Sequence, residues 1–122
     1  MYARRAFVGL LAGASLAGAA VPALAHTELV SSSPARGAVV AHLPSTLTLR
    51  FTEAPQKTLG SRVLLAGSRT NHATRTRLNP KNARQVQITT TGDQVGQYTV
   101  VLKVLAPDGD PQTVVYRFRV KR

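Results

Sequence analysis

Val114-Val115-Tyr116-Arg117-Phe118-Arg119-Val120-Lys121 alternates side chains suited to a core with side chains suited to water, and a period of two belongs to a strand with one buried face. Val114, Tyr116, Phe118 and Val120 form the inward row, and Val115, Arg117, Arg119 and Lys121 the outward one. Working back from this run, Leu47, Leu49 and Phe51 alternate with Thr48, Arg50 and Thr52 in the same way. Tyr98, Val100, Leu102 and Val104 make a third such row, and Val101 and Leu105 on its reverse side predict a central strand partly covered on both faces. Residues 28–32, 62–66 and 86–89 are weaker strand candidates. From residue 26 onward no stretch sustains a 3.6-residue apolar period for three turns, so the chain reads as all-β.

Turn signals separate these runs: Ser33-Pro34-Ala35-Arg36-Gly37, Leu43-Pro44-Ser45, Asn79-Pro80-Lys81-Asn82, Thr91-Gly92-Asp93 and Pro107-Asp108-Gly109-Asp110-Pro111. Six or seven short strands punctuated in this way predict a two-sheet sandwich of the immunoglobulin kind. Residues 67–84 are polar, hold Arg69, Arg75, Arg77, Lys81 and Arg84, and read as a long excursion between strands.

The first 25 residues have a different character. A short positive segment containing Arg4 and Arg5 precedes an uncharged stretch rich in Leu, Ala and Gly, and Ala23-Leu24-Ala25 offers the small side chains that a signal peptidase accepts. Residues 1–25 therefore read as a cleaved export signal, and residues 26–122 as the one mature domain. Arg4-Arg5-Ala6-Phe7-Val8 is similar to the twin-arginine type of leader. The alternative is an uncleaved anchor over residues 6–25, which are long enough to cross a bilayer but are weakened for that role by Pro22 and many small residues.

Composition narrows the chemistry. The chain has 16 Lys and Arg against 5 Asp and Glu, and 14 of the basic residues lie after residue 25, giving the mature part a formal charge of +9. With 43% hydrophobic and 17% charged residues it has the material for a core rather than a disordered composition. The absence of cysteine excludes disulfides, thiolate metal sites and cysteine nucleophiles together. Only Phe51, Tyr98, Tyr116 and Phe118 are aromatic after residue 25, too few for a nucleic-acid stacking platform. No Gly-x-Ser-x-Gly or His-Glu-x-x-His pattern is present, and a sandwich this small leaves little room for a substrate cleft.

Three histidines and five carboxylates then make up the candidate sites. Cleavage after Ala25 would leave His26 as the first residue, with an α-amine and an imidazole able to bite one metal ion as a chelate. Nitrogen-rich tetragonal sites favour Cu(II); the competing reading is a terminus that the peptidase tolerates and that frays. Asp108-Gly109-Asp110 reads first as a hairpin turn, but two of the five acids stand two residues apart in a cationic chain. Glu53, just past the run ending at Phe51, is a third carboxylate at a strand end. Convergence of these acids would call for a cation or a basic neighbour.

These residues also carry a family resemblance. Ala25-His26-Thr27-Glu28-Leu29-Val30-Ser31-Ser32-Ser33-Pro34-Ala35-Arg36-Gly37, Pro44, Leu47-Thr48-Leu49-Arg50-Phe51-Thr52-Glu53, Gly96-Gln97-Tyr98-Thr99-Val100, Pro107-Asp108-Gly109-Asp110 and Phe118-Arg119-Val120 together resemble the bacterial copper-resistance CopC family. The resemblance implies a seven-stranded Greek-key immunoglobulin-like sandwich or barrel and an exported, periplasmic copper-binding protein that works beside a CopD-type inner-membrane importer; the leading reading is a copper carrier or buffer, and with no catalytic motif in the chain no enzymatic activity is expected. It implies one Cu(II) ion held by the amine and ring of His26, by Asp108 and near Glu53. The family's late Asp-x-His motif becomes Asp108-Gly109-Asp110 here, so a carboxylate replaces the second imidazole at Asp110 and a weaker site is expected. Some members also hold Cu(I) with methionines and a histidine. The only methionine here is Met1, so no Cu(I) site is expected, His72 reads as a solvated loop residue and His42 as a turn residue.

Two other readings remain. One is a metal-free immunoglobulin-like interaction module of the cell envelope. The other compares His26 with the histidine brace of copper monooxygenases, which would require His42 or His72 to face it.

Overall fold

The computed structural model describes residues 26–122; the predicted leader and its cleavage point lie outside the described residues. Eight strands follow in order: β1 (Leu29–Ser33), β2 (Val39–Val40), β3 (Thr46–Phe51), β4 (Lys57–Leu65), β5 (Ala73–Asn79), β6 (Asn82–Thr90), β7 (Gly96–Leu105) and β8 (Pro111–Val120). They form two four-stranded sheets, ordered β1-β3-β6-β5 and β2-β8-β7-β4. The chain crosses between sheets after β1, β2, β3, β4 and β6, which makes this a Greek-key sandwich of the predicted class. The strand beyond the expected seven is β2, two residues paired parallel to β8 through Val39–Arg119 and Val40–Val120.

The alternating rows form the core. Leu47, Leu49, Phe51, Val86 and Ile88 of one sheet face Val63, Tyr98, Val100, Leu102, Val104, Tyr116, Phe118 and Val120 of the other, all at most 2% exposed. Burial of these side chains is the main favourable term for a domain this size. Tyr98 stacks on Phe118 with ring centroids 5.5 Å apart. As predicted, β7 is interior to its sheet, between β8 and β4, and Val101 and Leu105 on its outer side are half-buried.

The excursion predicted over residues 67–84 is corrected. β5 occupies much of it, and β5 and β6 form a hairpin turning at Pro80-Lys81. β5 is an edge strand whose outward side chains are Arg75 and Arg77, and only Ala73 and Leu78 pack against the core. A register shift between Ala73 and Arg75 also interrupts the period of two. Thr76 turns inward instead, its hydroxyl 2.5 Å from that of Ser61 on β4, bridging the two sheets at this edge.

The loops gather at two ends of the sandwich. Residues 26–28, 52–56 and the β7–β8 turn share one end, while residues 41–45, the segment before β5 and residues 91–95 share the other. At about 3.3 Å per residue, the stretch of β7 from Tyr98 to Leu105 holds the two ends more than about 20 Å apart.

Candidate metal centre

The β7–β8 turn is locally fixed before any ligand is considered. Gly109 sits at a φ of +90°, where a Cβ is disfavoured, and its amide donates to the Ala106 carbonyl at 2.9 Å. The Ala106 amide donates to the Asp110 carbonyl at 2.8 Å. The Asp110 amide donates to Asp108 Oδ1 at 3.0 Å. One carboxylate oxygen of Asp108 is therefore spent on the turn, and the other, Oδ2, lies 3.6 Å from His26 Nδ1.

His26 reaches this turn because the residue after it is anchored. Thr27 is buried, and the side-chain amide of Gln112 grips its backbone from both sides. The Thr27 amide donates to Gln112 Oε1 at 3.0 Å, and Gln112 Nε2 donates to the Thr27 carbonyl at 2.9 Å. The Thr27 hydroxyl donates to the Glu53 carbonyl at 2.7 Å and accepts from the Glu53 amide at 2.9 Å. Glu28 and Thr52 continue the stitching, through Thr52 N to the Glu28 carbonyl at 2.9 Å and Glu28 N to the Thr52 hydroxyl at 3.0 Å. The expected alternative of a frayed segment does not fit this arrangement from Thr27 onward. Thr27, Thr52 and Gln112 are the positioning residues that sequence reasoning missed; Gln112, two residues beyond Asp110, gave no signal of its own because its partner is 85 positions away.

Ligating atoms of His26, Asp108 and Asp110 all lie within 4.8 Å of one another, and all three residues are exposed. First-row metal ions hold nitrogen and oxygen ligands at about 2 Å, which places cis donors about 3 Å and trans donors about 4 Å apart. The His26–Asp108 separation already falls in that range, and Asp110 offers a carboxylate oxygen within 4.8 Å of both. One imidazole nitrogen and two carboxylates form a hard-to-borderline donor set without thioether, suited to a divalent cation. The Glu53 carboxylate is outside this group; what the structure places at the site is its backbone, bonded to Thr27.

The other two histidines lie at the opposite end. His72 corrects the expectation of a solvated loop residue: it is 5% exposed. Its Nδ1 lies 2.9 Å from the Thr91 carbonyl, its ring meets Tyr98 edge-on at 5.6 Å, and its buried Nε2 has no partner. The neighbouring Thr70, Asn71 and Thr74 disguise it in the sequence, because they belong to the irregular entry into an edge strand. Tyr98 donates its hydroxyl to the Gln94 carbonyl at 2.6 Å, and burial above all pushes its phenol pKa upward. His42 is an exposed bend residue, as expected, with Nδ1 2.8 Å from Asp93 Oδ2. Neither faces His26, so the geometry needed for a histidine brace is not formed.

Fold and site together define a class: a small Greek-key sandwich with a histidine and two carboxylates convergent at one loop end. The CopC domain family matches residues 29–121, and the chain belongs to that family. The match begins three residues after His26. The fold is similar to that of CopC from Methylosinus trichosporium OB3b, with a TM-score of 0.69 and 24% identity, covering 79% of this chain and 94% of that one. It is also similar to PcoC, a methionine-rich copper resistance protein from Escherichia coli, with a TM-score of 0.67 and 26% identity, covering 80% and 100% of the two chains. No curated protein sequence matches the chain.

Proposed function

We propose that this protein is an exported Cu(II)-binding carrier or buffer acting in copper resistance, handing its ion to or from a CopD-type inner-membrane partner. Membership of the CopC family supports the copper chemistry, and the convergence of His26, Asp108 and Asp110 is the observation that supports the site. The ion is cargo rather than a cofactor of catalysis. His26 contributes its ring and, once the leader is cut, its α-amine; Asp108 and Asp110 close the set; Glu53 is the fourth residue assigned, its backbone tied to Thr27 beside them. Copper binding is expected to be weaker than in relatives that keep a second imidazole, because a carboxylate is the poorer partner for Cu(II). Without methionine after the leader, a thioether Cu(I) site has no ligands. No helix among the described residues is long and apolar enough to cross a membrane, which is compatible with a periplasmic domain.

Titrating the protein that begins at His26 with Cu(II) tests this reading. One tetragonal EPR signal with nitrogen and oxygen ligands is expected, and a single extra residue ahead of His26 should abolish it. Equal binding by the extended and trimmed forms would remove the amine-and-imidazole site. An EPR-silent trimmed protein would leave the metal-free interaction module, a reading favoured by the loss of the second imidazole.

A further inference from the structure

None of the five acids lies inside a strand: Glu28, Glu53, Asp93, Asp108 and Asp110 all sit in the end loops. The two sheet faces are left with cations only, and they differ. The outer face of β1-β3-β6-β5 sets Arg50, Arg75 and Arg77 among Ser, Thr and Gln, and Arg77 Nε is engaged by Gln87 Oε1 at 3.1 Å. The outer face of β2-β8-β7-β4 has Lys57, Arg62, Lys103, Arg117 and Arg119 on its strands and Lys121 just beyond β8. None of these six makes an ion pair among the described residues, and Arg119 donates to Gln97 Oε1 at 3.2 Å much as Arg77 does to Gln87, so the faces differ in their number of cations, six against three.

Aliphatic side chains stand between these cations. Val39, Leu59 and Val115 on this face are 62%, 42% and 42% exposed. The surface between them is dimpled: Arg62 and Lys103 flank one shallow depression with Leu59 and Val101, and Arg117 and Arg119 flank another with Val39.

We propose that the outer face of the β2-β8-β7-β4 sheet docks the protein on an anionic phospholipid surface, phosphate headgroups settling into the cationic depressions. Single-stranded nucleic acid is disfavoured because Phe51, Tyr98, Tyr116 and Phe118 are all buried and leave no aromatic ring for bases to stack on; duplex DNA, which is held through its phosphates, is an outcome of the test. An acidic protein partner is disfavoured because the face offers no aromatic anchor of the kind that concentrates binding energy at protein interfaces. A spread of unpaired Lys and Arg with isolated aliphatics instead suits a diffuse, charged plane.

The geometry also selects an orientation. Screening at physiological salt acts over about 8 Å, while the two sheets are about 10 Å apart. Cations of the far sheet are thus largely screened when the near face touches the membrane. With the strands lying along the membrane plane, the end bearing His26, Asp108 and Asp110 stays at the side, open to water.

Sedimentation of the chain from His26 with vesicles tests this. Phosphatidylglycerol-containing vesicles should retain the protein at low salt, phosphatidylcholine vesicles should not, and retention should fall steeply as salt rises. At about fivefold per cation near an anionic surface, Arg62→Gln with Lys103→Gln, or Arg117→Gln with Arg119→Gln, should each lower partitioning about 25-fold. Compared at about 0.15 M salt, where screening acts over about 8 Å, the pair Arg75→Gln and Arg77→Gln on the far sheet removes the same charge and should change it much less. Equal losses from both faces would mean that net charge alone drives binding, and would overturn the docking face. Failure to bind phosphatidylglycerol vesicles would also overturn it, including where an acidic protein or duplex DNA is captured instead. Copper is absent from the assay, so its outcome is separate from that of the metal site.

Discussion

Gln112 holds the Thr27 backbone by two hydrogen bonds, accepting from its amide at 3.0 Å and donating to its carbonyl at 2.9 Å. A side-chain amide thereby stands in for a β-ladder partner and joins the start of the domain to the first residues of β8. His26 and Asp108 meet because each is one step from an anchored neighbour: His26 from Thr27, Asp108 from the turn closed by Ala106 and Asp110.

Gln112→Ala is expected to act mainly on the metal site. Two net hydrogen bonds at about 1 kcal/mol each set the stability loss at about 2 kcal/mol. Cu(II) affinity should fall by about tenfold to a hundredfold, the range for residues that orient a ligand. Thermal melts paired with Cu(II) titration measure both; unchanged affinity would show that Thr27 does not position His26.

The two turn carboxylates should separate by substitution. In Asp108→Asn the side-chain oxygen can still accept the Asp110 amide, so the turn and the melting temperature should hold while Cu(II) affinity drops by more than about tenfold. Asp110→His places an imidazole where a carboxylate stands and should tighten Cu(II) binding and add a nitrogen ligand to the EPR hyperfine pattern. Tightening without a new nitrogen signal would place the effect in charge or in the fold instead.

The contrast between the strands that were legible and the one that was not has a physical origin. Leu47-Leu49-Phe51, Tyr98-Val100-Leu102-Val104 and Tyr116-Phe118-Val120 are fully buried rows, so their period of two is sharp. β5 packs only at Ala73 and Leu78, and its Thr and Arg residues look like loop. At the site, scarcity of acids pointed to Asp108 and Asp110 and the leader pointed to His26, all local signals. Thr27, Thr52 and Gln112 act through contacts between distant segments, which a single sequence does not display. His72 escaped for a related reason: it is buried by Tyr98, Val63 and the 91–95 loop, none of them its neighbours in sequence.

Acid should weaken the far end of the sandwich through Asp93. The hydrogen bond from His42, then the Leu43 amide, with Arg122 adding attraction, lower its pKa from 3.8 to about 2. A carboxylate with a folded pKa below its unfolded value stabilises the fold fully above the unfolded pKa and loses that contribution as pH falls through the folded one. The window here is about pH 4 to pH 2. Asp93→Asn should be less stable than the parent at neutral pH, and the difference should vanish as pH approaches 2 in acid-unfolding curves. A constant difference across that range would assign the loss to packing of the 91–95 loop.

Gly92 tests the burial of His72 from the other side. Its φ is +96°, and a Cβ there would lie 2.9 Å from His72 Nδ1, the atom bonded to the Thr91 carbonyl. Gly92→Ala therefore combines a disfavoured backbone with a clash against a ring wedged on Tyr98, and should cost about 1–3 kcal/mol. In a domain of this size that corresponds to a fall in melting temperature of several degrees or more. Because His72 and the His26 cluster sit at opposite ends of β7, Cu(II) affinity of the folded variant should be unchanged. A stable Gly92→Ala protein would mean that the ring can leave its pocket without loss, and a fall in copper affinity would mean that the two ends are coupled through β7.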